Sequence, residues 1–272
     1  MPILVNNSPI KTFNFPAGEC HVSLSPEIIT AKTVITAILN NANDIMALLL
    51  TVDAIRRILP TVSLELIIPY FPYARQDRVC NQGEALSVKV MADLINNLKC
   101  DRIVIVDPHS DVTPALLNNT HIITQADILS QSCLKDELLK DNWALIAPDA
   151  GGEKKTQEVA KRLGLPDVFC ATKIRDTKTG KILSTTFHHD VKGRKVLIVD
   201  DICDGGKTFI ELSKLLQQKG AIKICLYITH GIFSKGLDLL RPYFNHIYSH
   251  HTMLSPQEQD RNFLTILPFV YL

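Results

Sequence analysis

The residues from 195 to 208 read KVLIVDDICDGGKT and decide the fold. An apolar run at 196–199 leads into two adjacent carboxylates, Asp200 and Asp201, and then into a glycine pair before an amphipathic helical pattern. In an open α/β sheet, ligands bind at the carboxyl ends of the strands, where a helix N-terminus offers unpaired N–H groups to a phosphate. The stretch therefore predicts a buried strand that ends at a phosphate-binding loop.

Similar apolar runs alternate with helical patterns along the chain. Strands are predicted at residues 64–68, 102–106, 144–147, 196–199 and 223–228. Apolar residues at three- and four-residue steps predict helices from Val88 to Leu98 and from Phe209 to Leu216, with Gly220 ending the second. The alternation is typical of βαβ units. We predict an α/β fold with two similar domains, each a mostly parallel sheet flanked by helices.

The polar segment 132–143 interrupts this alternation. It predicts a boundary between an N-terminal domain, 1–142, and a C-terminal domain, 143–272. The stretch 176–193 lacks an apolar period and predicts a mobile loop or an exposed hairpin.

Composition excludes several classes of protein. The 272 residues carry 29 Lys and Arg against 28 Asp and Glu, so no bulk field draws the chain to nucleic acid or to a membrane. Apolar stretches fall short of the roughly 20 residues that span a bilayer, and the first residues do not resemble a secretory signal. Seven scattered cysteines without C-x-x-C spacing argue against disulfides and zinc. We expect a cytoplasmic protein that binds neither nucleic acid nor membrane.

The acid pair and the glycines leave alternatives open. Neighbouring strand residues point to opposite faces, so one of Asp200 and Asp201 would bind vicinal ribose hydroxyls while the other orders the loop or a metal-bound water. The alternative is that the pair only caps the next helix. A P-loop, suggested by the Gly206-Lys207-Thr208 ending, requires glycine at position 201 and is rejected.

A second segment, residues 68–78, reads IPYFPYARQDR. Further segments follow in order: Asp107-Pro108-His109, residues 147–152 (APDAGG), Lys173-Ile174-Arg175 and residues 229–234 (THGIFS). Together with 195–208, they resemble the ribose-phosphate pyrophosphokinase (phosphoribosyl-pyrophosphate synthetase) family over about residues 15 to 270. The resemblance implies two phosphoribosyltransferase-like domains, assembly as a homo-oligomer, either dimer or hexamer, and Mg²⁺ as cofactor. It implies transfer of pyrophosphate from ATP to the C1 hydroxyl of ribose 5-phosphate, giving phosphoribosyl pyrophosphate and AMP.

The resemblance also assigns ATP-binding residues. They are Phe15, Glu19, Arg75, Gln76, Asp77 and His109. A proline-stiffened turn can hold the Arg75 guanidinium and the Gln76 amide still, as recognition of a base and a phosphate requires. The alternatives are an exposed Arg75–Asp77 ion pair and a structural role for His109. Ala17 replaces a family asparagine, so only a partial adenine contact is implied near Glu19.

Catalysis and metal binding are assigned to further residues. Lys173 and Arg175, two apart in an extended segment, would stabilise the transferred β-phosphoryl group, and the following polar stretch would close as a lid. His109 and Asp149 would hold Mg²⁺. The alternatives are a solvated charge pair and, for Asp149, a helix cap. His188, His189 and Asp190 are interpreted as solvated surface.

The ribose-phosphate site departs from the family pattern. Its predicted residues are Asp149, Asp200, Asp201, Asp204, Gly205, Gly206, Lys207 and Thr208. The family's loop usually reads Asp-Thr-Gly-Gly-Thr, so a hydroxyl donor becomes Gly205 and a lysine enters at position 207. We therefore hypothesise an acceptor with a substituted 5-phosphate, such as ADP-ribose, as an alternative to ribose 5-phosphate. Residues 79–85 replace a more basic family stretch, which puts phosphate activation, ADP inhibition and a hexamer in doubt.

Two other functions remain open. A phosphoribosyltransferase shares the strand, the acids and the phosphate loop, but the Arg75-Gln76-Asp77 segment is not expected in it. A non-catalytic regulatory homologue would keep the fold, although retention of the predicted catalytic residues speaks against it.

Overall fold

The chain forms two compact units, residues 1–123 and 124–272. The computed structural model describes residues 3–175, 182–269 and 271, without the side chains of 173–175 and 182–184. Each unit has its own hydrophobic core. Across the described ranges, no helix has both the length and the apolarity needed to cross a membrane. The seven cysteines all lie within the described residues, and none of them forms a disulfide there.

The first unit is built on a six-stranded sheet in the order β2-β1-β5-β6-β7-β8. Its strands are β1 (Ile3–Val5), β2 (Ser8–Pro9), β3 (Lys11–Asn14), β4 (Cys20–Ser23), β5 (Lys32–Ala37), β6 (Ser63–Ile68), β7 (Arg102–Val106) and β8 (Thr120–Ile123). Its helices are α1 (Ala42–Ile58), α2 (Ser87–Asn97) and α3 (Val112–Leu116). Strands β5 to β8 are parallel, so their carboxyl ends share one edge, whereas β3 and β4 form a separate hairpin.

Local sequence explains the helices of this unit. Asn41 and Asp44 form a reciprocal capping box that satisfies backbone donors where α1 begins. The apolar period of α2 buries Val88, Met91 and Ile95 against the sheet core.

The second unit has a fully parallel sheet in the order β10-β9-β13-β14-β15-β16. Its strands are β9 (Trp143–Ala147), β10 (Val168–Cys170), β11 (Thr172–Arg175), β12 (Ile182–Thr186), β13 (Lys195–Cys203), β14 (Lys223–Gly231), β15 (His246–Thr252) and β16 (Leu264–Ile266). Its helices are α4 (Gln125–Gln131), α5 (Leu134–Lys140), α6 (Ala150–Leu163) and α7 (Lys207–Gln218). Strand β13 is buried on both faces, with Val196 in one core and Leu197 in the other. Continuous apolar runs are typical of such strands.

The predicted fold class is confirmed. The strand predicted at 102–106 matches β7. The other predicted strands lie within longer ones, and β13 continues through both carboxylates to Cys203. Helix α7 ends at Gln218, and Gly220 has the left-handed φ of 80° expected of a residue that ends a helix.

The units meet at 123/124, whereas the sequence predicted a boundary at 142/143. The polar segment after 132 forms α5, which buries Leu134 and Leu138 in the same cluster as Trp143. This burial joins the segment to the second unit. Strands β11 and β12 pair antiparallel. Of the stretch 176–193, predicted to be a mobile loop or an exposed hairpin, residues 176–181 lie outside the described residues.

Candidate active site

Two adjacent carboxylates lie near the carboxyl end of β13. Asp201 is 7% exposed, and Asp200 is partly buried and accepts a hydrogen bond from the Asp201 N–H at 3.0 Å. Burial, the charge of Asp201 and that of Asp149 raise the pKa of Asp200 well above its ordinary value. Bound cations or hydroxyl donors would relieve this unfavourable concentration of negative charge, so the pair is suited to bind either.

Asp149 follows the neighbouring parallel strand β9 and begins helix α6. Its Oδ1 accepts hydrogen bonds from the N–H groups of Gly151 and Gly152 at 3.0 and 3.3 Å. A Cβ on Gly152 would lie 3.7 Å from Asp200 Oδ1, which places the two strand ends side by side. Asp149 is therefore a helix cap, as one sequence alternative proposed, and it also lies beside the acid pair. The acid pair does not cap α7, whose N-cap is Gly206.

The glycine loop leads directly into the N-terminus of α7. Gly206 has φ 73°, a left-handed conformation that glycine adopts without steric cost. No side chain caps this end of the twelve-residue helix. Gly205 is exposed and Thr208 is partly buried. The loop therefore presents backbone N–H groups and the positive end of the helix dipole to an anion.

The two glycines of this loop should respond differently to substitution. A Cβ on Gly206 would lie 2.7 Å from the buried Leu240 Cδ2, in addition to the left-handed strain. We expect Gly206→Ala to lower the free energy of unfolding by about 1–2 kcal/mol or more. The matched Gly205→Ala would make only an ordinary contact, at 3.7 Å, and should change it by less than about 0.5 kcal/mol. Urea unfolding measures both, and equal effects would contradict the assigned backbone geometry.

The loop after β14, residues 232–236, is hydrogen-bonded to the glycine loop. The Cys203 carbonyl accepts hydrogen bonds from the N–H groups of Ile232 and Phe233 at 2.9 and 3.0 Å. Ser234 Oγ donates to Asp204 Oδ1 at 2.5 Å. Asp204 therefore ties the two loops together.

A histidine cluster lies within the carboxyl-terminal parts of β14 and β15. Burial and the neighbouring rings of His230 and His250 lower the pKa of His251 to about 3, so its ring is neutral at physiological pH. The sequence interpretation assigned these histidines no role, because their proximity arises from strand pairing: His230 lies opposite His251 in the ladder.

In the first unit, the segment 68–78 follows β6. Phe71 and Ala74 are buried, whereas Arg75 and Gln76 are exposed. The Gln76 N–H donates to the Tyr73 carbonyl at 3.0 Å, and its carbonyl accepts from Val88 N–H at 3.3 Å. The turn is thus held by the buried Phe71 and Ala74 and by a hydrogen bond to the start of α2. The ATP-binding roles of Arg75 and Gln76 stay predictions.

His109 follows β7, the strand next to β6. Asp107 is buried with φ 40°, and its N–H donates to the Ile123 carbonyl at 2.8 Å. His109, two residues on, is exposed. Because β6 and β7 are parallel, His109 and the 68–78 segment follow strand ends at the same edge of this sheet.

Phe15 and Glu19 lie at the β3–β4 hairpin. The Phe15 N–H donates to the Glu19 carbonyl at 2.9 Å. The rings of Phe13 and Phe15 are exposed, with centroids 5.2 Å apart, and Phe13 also packs edge-on against His21. An exposed aromatic group of this kind suits a base, but the hairpin is separate from the sheet that carries Arg75 and His109.

Lys173 and Arg175 belong to β11, which is extended as predicted. They pair with Thr185 and Ile182, and the register shifts between Ile174 and Arg175. The sequence argument assumed regular strand alternation, in which residues two apart face the same way. The register shift interrupts that alternation between Lys173 and Arg175. Their side chains lie outside the described part of the chain, so their catalytic role stays a prediction. His188, His189 and Asp190 are exposed, and His189 stacks on Phe169 at 4.7 Å.

Three bulky or charged residues adopt left-handed backbone conformations within the family segments. They are Tyr73, Asp107 and Phe233, with φ of 62°, 40° and 48°. Such positions cost about 1–3 kcal/mol each and cluster at functional sites. Sequence reasoning missed them because none of the three is a glycine.

The donor chemistry suits Mg²⁺ bound together with a substrate. In the parts of the chain that the structure describes, no three His, Cys, Asp or Glu side chains converge to hold an ion by themselves. Mg²⁺ at nucleotide sites is usually held by one or two carboxylates plus substrate phosphates. Asp149 and Asp200 offer such oxygens. The assignment of Mg²⁺ to His109 and Asp149 stays a prediction.

A parallel sheet with an acid pair and a glycine loop at a helix N-terminus is typical of α/β proteins that bind phosphate-containing ligands at the carboxyl ends of their strands. The family described as "N-terminal domain of ribose phosphate pyrophosphokinase" matches residues 3–98, and "Phosphoribosyl transferase domain" matches 113–243. The chain belongs to the ribose-phosphate pyrophosphokinase family, as the sequence resemblance predicted.

Curated relatives support this assignment, and a solved structure shares the fold. Ribose-phosphate pyrophosphokinase of Aquifex aeolicus is 31% identical over 81% of this chain and 70% of its own length. The Mycoplasmopsis pulmonis enzyme is 33% identical over 83% and 70%, and the Cereibacter sphaeroides enzyme is 34% identical over 72% and 58%. The chain thus spans 58–70% of these relatives. Phosphoribosylpyrophosphate synthetase from Mycobacterium smegmatis shares the fold, with a TM-score of 0.80, 22% identity and coverage of 96% of this chain and 86% of that one.

Proposed function

We propose that this chain transfers pyrophosphate from ATP to the C1 hydroxyl of a ribose 5-phosphate unit, in a Mg²⁺-dependent reaction. The observation that carries the proposal is the acid pair, Asp200 and Asp201, set before a glycine loop at the N-terminus of α7. A phosphoribosyltransferase would need the same site. The anchored turn that exposes Arg75 and Gln76 in the first unit supports a synthetase, because it provides a separate place for a nucleotide.

In the proposed reaction, the chain works by positioning and by charge neutralisation. The glycine loop holds the 5-phosphate, and one member of the acid pair holds the ribose hydroxyls. Arg75, Gln76 and His109 hold ATP, with Asp77, Phe15 and Glu19 around the nucleotide. The C1 oxygen bonds to the β-phosphorus, the bond from that phosphorus to the bridging oxygen of AMP breaks, and the hydroxyl proton passes to solvent.

Two cations and a metal would offset the charge that shifts during this exchange. Lys173 and Arg175 stabilise the β-phosphoryl group in the transition state of the transfer. His109 and Asp149 are the residues assigned to Mg²⁺, which would neutralise polyphosphate charge when bound.

The proposal is tested by incubating the purified chain with ATP, Mg²⁺ and ribose 5-phosphate. We expect AMP and phosphoribosyl pyrophosphate in equal amounts, identified by mass and by phosphorus NMR. Consumption of phosphoribosyl pyrophosphate with a free base, without AMP release from ATP, would show a phosphoribosyltransferase. An inert chain with every acceptor tested would favour a non-catalytic homologue.

The glycine at position 205 favours a second candidate, the same transfer to a ribose whose 5-phosphate is substituted, as in ADP-ribose. Gly205 is exposed, and a side chain there would meet only Lys235 at 3.7 Å, so the loop has space beside the phosphate. Parallel assays with ribose 5-phosphate and ADP-ribose would decide between them. A strong preference for ribose 5-phosphate would remove the second candidate.

A homo-oligomer, dimer or hexamer, is proposed on the family resemblance alone. Sedimentation of the purified chain tests it.

A further inference from the structure

A second lysine, Lys235, lies next to the glycine loop. Its Cγ would be 3.7 Å from a Cβ built on Gly205. The side chain is exposed and comes from the loop after β14, so it reaches the site from a different element than Lys207 does. Nothing in the proposed transfer to ribose 5-phosphate uses it.

The backbone that carries Lys235 is fixed relative to the glycine loop. Ser234, its neighbour, bonds to Asp204, and the N–H of Phe233 bonds to the Cys203 carbonyl. Phe233 is buried, and the Gly236 N–H closes a turn onto its carbonyl at 2.8 Å. Lys235 is therefore held beside Gly205 by bonds on both sides, and only its own flexible stem has to be ordered by a ligand.

Lys207 provides a second ammonium group at the same loop. It is the first residue of α7, its side chain is 83% exposed, and its Nζ lies 3.9 Å from the Glu211 carboxylate. An exposed pair at this distance contributes little and leaves the ammonium group accessible. Two lysines thus flank Gly205 and Gly206.

One 5-phosphate does not by itself require both lysines. Backbone N–H groups and the dipole of a helix N-terminus already suit a single phosphate. Two further ammonium groups, together with the open space at Gly205, match a second phosphate attached to the first. A lysine binds phosphate as a compact point charge and tolerates several geometries, so it suits a flexible diphosphate.

We propose that Lys235, together with Lys207, binds the outer phosphate of an acceptor whose ribose 5-phosphate is extended to a diphosphate, and that Lys235 determines specificity for this class. The class comprises ribose 5-diphosphate and its esters, of which ADP-ribose is one. This inference rests on the proposed function, because it assumes that the glycine loop holds the 5-phosphate.

The test uses ribose 5-phosphate and ribose 5-diphosphate, which differ only in the outer phosphate and carry no adenine that the ATP site could bind. AMP release gives kcat/KM for each acceptor with the wild-type chain and with Lys235→Ala. We expect the wild-type chain to prefer the diphosphate, and Lys235→Ala to lower the diphosphate-to-monophosphate ratio of kcat/KM about tenfold or more. The change should lie in KM, since the outer phosphate is remote from the reacting atoms.

Lys192→Ala is the matched control, because Lys192 is an exposed lysine of the same unit with no part in the proposed site. It should leave the ratio within about twofold of the wild-type value. Lys207→Ala should lower the ratio in the same direction as Lys235→Ala. A ratio that Lys235→Ala leaves unchanged, or a wild-type preference for the monophosphate, overturns the inference while AMP release still supports the proposed function.

Binding measured by calorimetry keeps the two proposals separable. If neither acceptor releases AMP, the proposed function fails, and the calorimetric affinities of the two acceptors then decide the inference. A Lys235-dependent preference for the diphosphate would support the subsite. Equal affinities, or a preference that survives Lys235→Ala, would overturn it.

Discussion

Lys173→Ala is expected to lower kcat roughly 10²–10³-fold while leaving the fold intact. A preorganised donor or cation aimed at charge that develops in the transition state contributes about this much, because it acts where water is excluded. The backbone of Lys173 pairs with Thr185 in the β11–β12 hairpin, and that pairing does not depend on the lysine side chain. Steady-state AMP release gives kcat, and thermal unfolding reports the fold.

The matched control for this change is Lys192→Ala, which removes an exposed lysine after the same hairpin. It should keep kcat within about twofold and the unfolding temperature unchanged. If Lys173→Ala retained kcat within a factor of three, its assignment as a catalytic residue would be rejected. A raised KM with an unchanged kcat would show instead that Lys173 only binds the ground state.

Asp200→Asn is expected to abolish most activity and to stabilise the unliganded chain at neutral pH. The pKa of Asp200 is raised in the folded state by burial and by Asp201 and Asp149, whereas in the unfolded chain it is near the ordinary value of about 3.9. At a pH above the folded pKa, the Asp200 carboxylate is charged in the folded chain, and burial and the neighbouring carboxylates make that charge unfavourable. Asparagine removes that charge and retains a similar shape, so the unfolding temperature should rise by about 2–4 °C for each kcal/mol recovered.

The pH dependence gives this prediction its sign. The favourable contribution of a carboxyl with a raised folded pKa is fully present below the unfolded pKa and is lost as the pH rises through the folded pKa. The gain of Asp200→Asn should therefore be larger at pH 7 than at pH 3, where the wild-type carboxyl is mostly protonated in both states. Thermal unfolding at both pH values measures it.

Glu158→Gln, on an exposed face of α6, is the isosteric control and should change the unfolding temperature by about 1 °C at most at either pH. An Asp200→Asn chain less stable than wild type at pH 7 would show that the buried carboxylate is stabilised by its surroundings. Full activity in that variant would remove Asp200 from the acceptor site.

The sequence predicted the strands and helices whose apolar residues form a clear run or repeat. Residues 196–199 and the apolar positions of α7 were predictable, because burial on both faces of a strand and one face of a helix leaves a direct pattern. The extension of β13 through Asp200 and Asp201 was not predictable. Carboxylates are disfavoured in strands, and pairing with β14 decides the outcome.

The candidate site was predicted unevenly for a similar physical reason. The acid pair and glycine loop follow from local chemistry, whereas Arg75, Gln76 and Lys173 were chosen through family resemblance. Lys235 was missed because its proximity to Gly205 depends on how the loop after β14 bonds to Cys203. The division into compact units at 123/124 was not predicted, because the burial of Leu134 and Leu138 is a tertiary property.

The left-handed turns at Tyr73 and Phe233 have a consequence for how damage spreads through the molecule. Each is a backbone conformation of unfavourable energy that only the surrounding packing maintains. Phe233 packs in the same buried cluster as Leu240. A mutation that weakens packing in that cluster is expected to let the backbone at Phe233 leave its left-handed conformation while the sheet stays folded. Circular dichroism and thermal unfolding would report such a chain as folded, although its activity would be lowered. Activity would therefore detect a defect in core packing more sensitively than these measurements.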